Sequence, residues 1–259
     1  MPFLQLKDSD IHYEVHGEGY PIFLFAPGFL SSRIERWRTN PANPGQPQDF
    51  LDPIAAMSSR FKMIAHDVRN AGESRGTARS SDGWHSYVED ALALLDHLEV
   101  TRCHVMGACI GVTFALALAQ ARPGLATALV LQNPIGLGRN GRNRDLVNEE
   151  INLWIERVRG YPRIDRSQLP EFTRQMFAGD FLFGVPREYL ASYKLPMLLM
   201  PGDDNMHPVE VSYEVAQLAP HTEVVAPWKG DKFKHEAIEF TRDFFIRNTP
   251  KKLDLPFAP

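Results

Sequence analysis

Hydrophobic and polar positions along the 259-residue chain follow two patterns: short continuous apolar runs, and longer stretches with apolar residues at helical spacing. The runs are typical of buried strands, and the spaced stretches are typical of helices that pack on them. They predict strands at 3–7 and 11–16, which form a hairpin, and at 21–26, 61–66, 103–106, 126–132, 195–200 and 221–226. Helices are predicted at 86–98, 112–121, 149–158, 168–177 and 234–247. Because the two kinds of element alternate, we expect an α/β protein with a mostly parallel central sheet and helices on both faces.

One long interval departs from this alternation. Residues 134–194 contain no strand-like run, and Gly or Pro punctuates the ends of their two predicted helices. An insertion after a central strand would cover the carboxyl edge of the sheet, where ligands bind in open α/β folds. We therefore predict a core domain (1–133 and 195–259) and a helical cap (134–194). Five aromatic residues would line a pocket under the cap or form the core of the cap: Trp154, Phe172, Phe177, Phe181 and Phe183.

The sequence Gly107-Ala108-Cys109-Ile110-Gly111 matches a nucleophile elbow in which cysteine takes the usual place of serine. It follows a predicted strand and precedes a predicted helix, as an elbow requires. Small flanking residues suit a sharp turn that holds its central residue in strained backbone geometry. The start of the helix would also favour a thiolate over a thiol. We therefore predict that Cys109 is a nucleophile, and the alternative is a buried structural cysteine.

Charge and composition narrow the classes of function. The net charge of −4 does not favour binding to nucleic acid or to an anionic membrane. The chain has no run long enough to span a membrane and no secretory pattern at Met1 to Asp10, so we expect a cytoplasmic protein. Its two cysteines, Cys103 and Cys109, lack the spacing of a zinc site and are too far apart to bridge across a strand. We expect a small-molecule substrate, no metal and no cofactor, and the sequence does not indicate an oligomeric state.

A nucleophilic cysteine needs a base and an acid that orients the base. The stretch Pro201-Gly202-Asp203-Asp204-Asn205-Met206-His207-Pro208 follows a predicted strand directly, so its carboxylates would lie at the carboxyl edge of the sheet. His235 comes after the last predicted strand, at the start of the last helix. Acid and base would then reach a common point from separate strand ends.

These motifs resemble the α/β-hydrolase superfamily over nearly the whole chain. The resemblance rests on the loop Ala26-Pro27-Gly28-Phe29, the segment 67–74, the elbow, the aspartate loop and His235. The chain departs from the family pattern in two places, because Pro27 stands where histidine is common and Asn70 where glycine is usual.

The resemblance implies roles for individual residues. The family order of nucleophile, acid and base assigns the base to His235, and an acid four residues before Pro208 is Asp204, with Asp203 as the alternative. The backbone N–H groups of Phe29 and Ile110 would form the oxyanion hole.

Arginines near the predicted mouth of the site are candidates for substrate binding. A guanidinium there would hold a carboxylate or phosphate, whereas the alternative is a solvated surface or pairing with nearby acids. The candidates are Arg33, Arg36 and Arg139, and His207 beside the acid would also contact substrate.

The predicted set of cysteine, aspartate and histidine resembles that of dienelactone-hydrolase-like enzymes in its chemistry. It implies a hydrolase that attacks an ester, thioester, lactone or activated carbonyl of a small molecule through an acyl intermediate on Cys109. Two alternatives are an acyltransferase with the same triad and a non-catalytic member of the fold that binds a small molecule.

Overall fold

The computed structural model describes residues 2–40 and 48–251. Within them lies one sheet of nine strands, eight of which follow the order β1-β2-β4-β3-β6-β7-β8-β9, while β5 pairs with β2. The strands are β1 Phe3–Gln5, β2 Ser9–His16, β3 Pro21–Phe25, β4 Lys62–His66, β5 Arg75–Gly76, β6 Cys103–Ala108, β7 Ala126–Gln132, β8 Met197–Met200 and β9 Thr222–Val224. The eight predicted strands are all present, and only the two-residue β5 was not predicted.

One strand, β2, runs against its neighbours. It pairs antiparallel with β1, β4 and β5, whereas β4, β3, β6, β7, β8 and β9 run parallel. Every residue of β6, β7 and β8 is buried, because helices cover both faces of the parallel part. The predicted α/β fold with a mostly parallel sheet is confirmed.

Helices occupy the connections between the strands. They are α1 Pro53–Met57, α2 Trp84–His97, α3 Gly111–Ala121, α4 Arg144–Val158, α5 Leu169–Met176, α6 Arg187–Ser192, α7 Val209–Leu218 and α8 Asp231–Asn248, with 3₁₀ turns at Phe29–Ser31, Ile34–Trp37, Arg139–Gly141 and Arg166–Gln168. The bounds of α7 were not predicted, since its valines have low helix propensity. Burial of Val211 and Val215 against the core stabilises it instead. Among the described residues, no helix is both long and apolar enough to cross a bilayer.

The segment between β7 and β8 contains α4, α5 and α6. Trp154 and Phe172 are buried against each other with ring centroids 5.5 Å apart, and Phe177 packs against Phe183 and Phe29. All five aromatic side chains are buried in the protein core. The helix α4 lies against the turn Phe29–Ser31, at the carboxyl edge of the sheet.

Candidate active site

The turn between β6 and α3 presents Cys109 at the carboxyl edge of the sheet. Cys109 has a φ of 55°, a conformation that is strained for a residue other than glycine. A Cβ on Gly107 would lie 2.1 Å from the carbonyl oxygen of Gly111, and one on Gly111 would lie 2.2 Å from that of Phe25. Side chains at either glycine would therefore disrupt the turn, which explains why Cys109 is flanked by small residues.

His207 and Asp204 face each other in the loop after β8. The Nδ1 of His207 lies 2.9 and 3.0 Å from the two carboxylate oxygens of Asp204. Asp204 Oδ1 also accepts the backbone N–H groups of Met206 and His207 at 2.9 and 2.8 Å. The loop therefore fixes the carboxylate, and the carboxylate fixes the imidazole with Nδ1 as the donor.

The other ring nitrogen of His207 is not engaged by the acid, and Cys109 lies near the ring. Nε2 is buried and forms no hydrogen bond with another described group, while Cys109 interacts with the ring and lines the same cavity. This is the arrangement in which an imidazole accepts or returns the proton of a nucleophile, with the second nitrogen held by an acid.

Charges at the site favour a protonated His207. Burial lowers the pKa of His207, but the negative charges of Cys109 and Asp204 outweigh it and raise the pKa to about 9. Burial acts to raise the pKa of Asp204, yet the hydrogen bonds and charge of His207 hold that pKa well below its usual range. The carboxylate of Asp204 thus stabilises the protonated form of His207.

His235 lies away from this site, which corrects its predicted role as the base. Helix α8 begins at Asp231, so His235 lies inside it. Its side chain is 79% exposed and lies 3.9 Å from Glu239. The loop after β9 does reach the acid, but it delivers Lys229, whose Nζ contacts Asp203 and lies 3.4 Å from Asp204. The histidine that the structure brings to the acid is instead His207, for which sequence analysis had proposed a contact with substrate.

Asp203 and Asp204 share Lys229 but differ in their other contacts. Asp203 is 63% exposed, whereas Asp204 also binds His207. Of the two alternatives for the acid, Asp204 is the one that the structure brings to the imidazole.

Two backbone N–H groups flank Cys109. Phe29 follows β3 with a φ of 52°, and Ile110 directly precedes α3. Neither N–H donates to another group among the described backbone and side-chain acceptors. Both N–H groups are thus without an acceptor in the part of the chain that the structure describes.

A cavity of about 550 Å³ opens onto these groups. Its lining comes from the loop after β3, the chain before α1, the ends of β6 and β7, helix α4 and the loops after β8 and β9, and includes Phe29, Arg36, Phe50, Cys109, Asn133, Glu150, Leu153, Arg157, Asp204, His207 and Lys229. Arg36 is the predicted arginine that lines it. Arg33 pairs with Glu35 at 2.9 Å, and Arg139 lines a separate surface groove beside Glu210, so the structure does not bring these two candidates to Cys109.

Sequence analysis did not identify Asn133, which lies next to β7. Asn133 has a φ of 52° and is 2% exposed, and its Oδ1 is buried without a hydrogen-bond partner. It lines the cavity, so its amide is available to a bound molecule. Its place directly after a predicted central strand is the signal that identifies it, because ligands bind at such strand ends.

Comparison with known proteins gives the same fold. A family model described as alpha/beta hydrolase fold matches residues 21–182. A protein of Agrobacterium fabrum named "Putative carbamate hydrolase RutD" is 28% identical over 126 residues, which cover 48% of this chain and 43% of that protein. The protein of the same name from Azorhizobium caulinodans is 30% identical over 133 residues, covering 51% of this chain and 44% of that protein. The matches thus span less than half the length of these two curated relatives.

Among solved structures, the enol-lactonase from Burkholderia xenovorans LB400 superposes with a TM-score of 0.66 at 17% sequence identity. The match covers 95% of this chain and 100% of that chain. At this identity the likeness shows the fold.

Proposed function

The chain belongs to the alpha/beta hydrolase fold family, and from this premise we propose that it is a hydrolase whose nucleophile is Cys109. The observation that carries the proposal is the placement of Cys109 beside an imidazole, His207, whose far nitrogen is held by Asp204. These three residues keep the chain order of nucleophile, acid and base. A cysteine with only a structural role has no need of an oriented base.

The reaction would begin with attack of the Cys109 thiolate on the carbonyl carbon of an ester, thioester, lactone or activated carbonyl. The resulting oxyanion accepts hydrogen bonds from the N–H groups of Phe29 and Ile110. As the bond to the leaving group breaks, the His207 imidazolium gives that group its proton, and a thioester on Cys109 remains.

Water then completes the cycle. The neutral His207 takes one proton from a water molecule, whose oxygen attacks the thioester carbon. The carbon–sulfur bond breaks, Cys109 leaves as a thiolate, and His207 is again protonated. Asp204 stabilises the imidazolium and holds the ring through both halves of the reaction.

The names of similar proteins agree with this reaction class. Hydrolysis of a carbamate or of an enol-lactone transfers an acyl group to water. For this chain we propose the same class of reaction, with a small-molecule substrate and a cytoplasmic location. The cysteine chemistry would place it near dienelactone-hydrolase-like enzymes.

Residues 134–194 would act as the cap of this site. Helix α4 contributes Glu150, Leu153 and Arg157 to the cavity lining, and Arg157 contacts the hydroxyl of Ser31 beside the predicted oxyanion loop. A segment that contributes to the lining of the cavity in this way can cover the carboxyl edge of the sheet, as a cap does.

Intact-mass analysis after brief exposure to activated acyl esters tests the proposal. We expect one acyl adduct, mapped to Cys109 and lost in Cys109→Ala, that accumulates in His207→Gln because hydrolysis of the thioester needs the base. The internal control is Cys103, which is fully buried and whose pKa burial raises to about 12, so it should stay unmodified.

Other outcomes identify the alternatives. A stable adduct on the wild-type protein that only an added alcohol or amine removes would show an acyltransferase. Absence of both adduct and turnover across a broad ester panel would refute catalysis and leave a small-molecule-binding role.

A further inference from the structure

Among the described residues, Arg36 has no carboxylate partner, unlike Arg33 and Arg38 near it in the chain. Its guanidinium forms no ion pair or side-chain hydrogen bond with the described residues, and its Nε is buried and unsatisfied. By contrast, Arg33 pairs with Glu35 at 2.9 Å and Arg38 with Asp52 at 3.3 Å. Because Arg36 also lines the cavity of Cys109, its unused donors are available to a molecule bound there.

The guanidinium lies against the loop that carries the predicted oxyanion hole. A Cβ on Gly28 would be 3.2 Å from Arg36 Nε and 3.4 Å from its Cζ. Gly28 has a φ of 121°, so the loop both requires glycine and leaves room for the flat guanidinium. This packing places the charge next to Phe29.

Charges of both signs act on Arg36, but among the described residues none is paired with its guanidinium. Arg33 and Arg157 act on it as cations, while Glu150 and Cys109 act in the opposite sense. Burial lowers the pKa of Arg36 to about 10, which still leaves it charged at neutral pH. A guanidinium nitrogen that is buried without a partner is costly, and a bound anion would remove that cost.

We propose that Arg36 binds a carboxylate carried by the acyl part of the substrate, so that the cavity selects anionic acyl compounds. This inference rests on the proposed role of Cys109. The planar fork of the guanidinium would hold the carboxylate through two hydrogen bonds and orient the acyl group beside the oxyanion hole.

A matched pair of alkylating reagents tests this without knowledge of the substrate. Iodoacetate and iodoacetamide both form a carbon–sulfur bond with a thiolate and release iodide, but iodoacetate alone carries a carboxylate. The readout is the rate of modification of Cys109 by each reagent, followed by peptide mass and expressed as a ratio. Glutathione supplies the ratio for a free thiol, and buried Cys103 reports any unfolding.

The wild-type ratio of iodoacetate to iodoacetamide should exceed that of glutathione. Arg36→Gln should lower it by about tenfold or more, the effect of losing about 1.4 kcal/mol of interaction with the carboxylate. Arg36→Lys should retain part of the preference, because it keeps the charge and loses the fork. The control Arg38→Gln, two positions away and outside the cavity, should leave the ratio unchanged.

Three results would overturn the inference. An unchanged ratio in Arg36→Gln, with Cys109 still reactive toward iodoacetamide, refutes carboxylate binding and leaves the proposed nucleophile intact. Equal loss of both rates shows that Arg36 only supports the loop. A Cys109 that resists both reagents in the wild type refutes the nucleophile, and the inference falls with it.

Discussion

At the scale of single residues, the proposed base comes from the same loop as its acid, whereas the family pattern takes the base from the chain after the last strand. Asp204 and His207 are three positions apart in one loop, and the carboxylate binds both the ring and the backbone N–H of His207. The position after β9, where the base was predicted, instead supplies a cation, Lys229, to the acid. The acid thus has a positive neighbour on each side, which keeps it ionised.

The two histidines can be distinguished by substitution. His207→Gln should lower kcat/KM for an activated ester by at least about 10³-fold, because the imidazole takes part in both proton transfers. His235→Gln should change it by less than about twofold, since surface substitutions away from a site have small effects. Steady-state kinetics on the purified variants measures both. A large loss in His235→Gln together with an active His207→Gln would reverse the assignment.

At the scale of elements, the site is built where neighbouring parallel strands end. Phe29, Cys109 and Asn133 follow β3, β6 and β7, which are adjacent in the sheet, and all three have positive φ. Residues other than glycine adopt this conformation at a cost of about 1–3 kcal/mol each. Packing around these residues must offset that cost. At the elbow, the close contacts of Gly107 and Gly111 are part of this packing.

Alanine at the elbow should reveal this packing. A helix generally gains stability from Gly→Ala, by about 1 kcal/mol, yet Gly111→Ala in α3 should lower the free energy of unfolding by about 3 kcal/mol or more because of its clash with the carbonyl of Phe25. The matched control is Gly160→Ala, where the added Cβ has no atom within 4 Å; it should change stability by less than about 1 kcal/mol. Urea unfolding measures both variants. Equal effects would contradict the packing argument.

At the scale of the whole molecule, the sheet buries polar side chains together with its apolar core. His66 ends β4, stacks on Phe23 with ring centroids 4.9 Å apart, and meets Phe25 edge to face with centroids 5.1 Å apart. Burial lowers the pKa of His66 to about 4, against an opposing effect of Asp67, and burial likewise lowers that of His104 to about 3. Both rings are neutral in the folded protein at neutral pH.

This burial makes stability depend on pH. The unfolded chain protonates His66 near pH 6.5 while the folded chain does not, so the free energy of unfolding should fall as the pH drops from 7 toward 4. For this group alone the loss between pH 7.5 and 5 is about 2 kcal/mol. Urea unfolding measures the free energy of unfolding at the two pH values. In His66→Gln the loss of stability between pH 7.5 and 5 should be smaller than in the wild type by that amount. In the control His85→Gln, which changes an exposed histidine, the loss should equal that of the wild type. An unchanged difference in His66→Gln would contradict the burial effect.

Much of the fold could be predicted because local patterns survive in the sheet. Continuous apolar runs such as 126–132 become fully buried strands, and the Gly-rich elbow follows its strand as expected. Short elements were harder to predict, since α1, α6 and β5 contain too few residues for a period to show. The valines of α7 have low helix propensity, and burial of Val211 and Val215 against residues distant in sequence stabilises the helix instead.

The sequence by itself determined the parallel sheet, the elbow around Cys109 and the placement of carboxylates after a strand, because each depends on residues close together along the chain. Only the tertiary structure decided which histidine lies near Cys109 and Asp204, which of the predicted arginines lines the cavity, and that Asn133 lies beside them. Those facts depend on how loops from different strand ends meet. Geometry and burial in the folded chain determine which side chains that are distant in sequence come into contact, and a local sequence pattern does not contain that information.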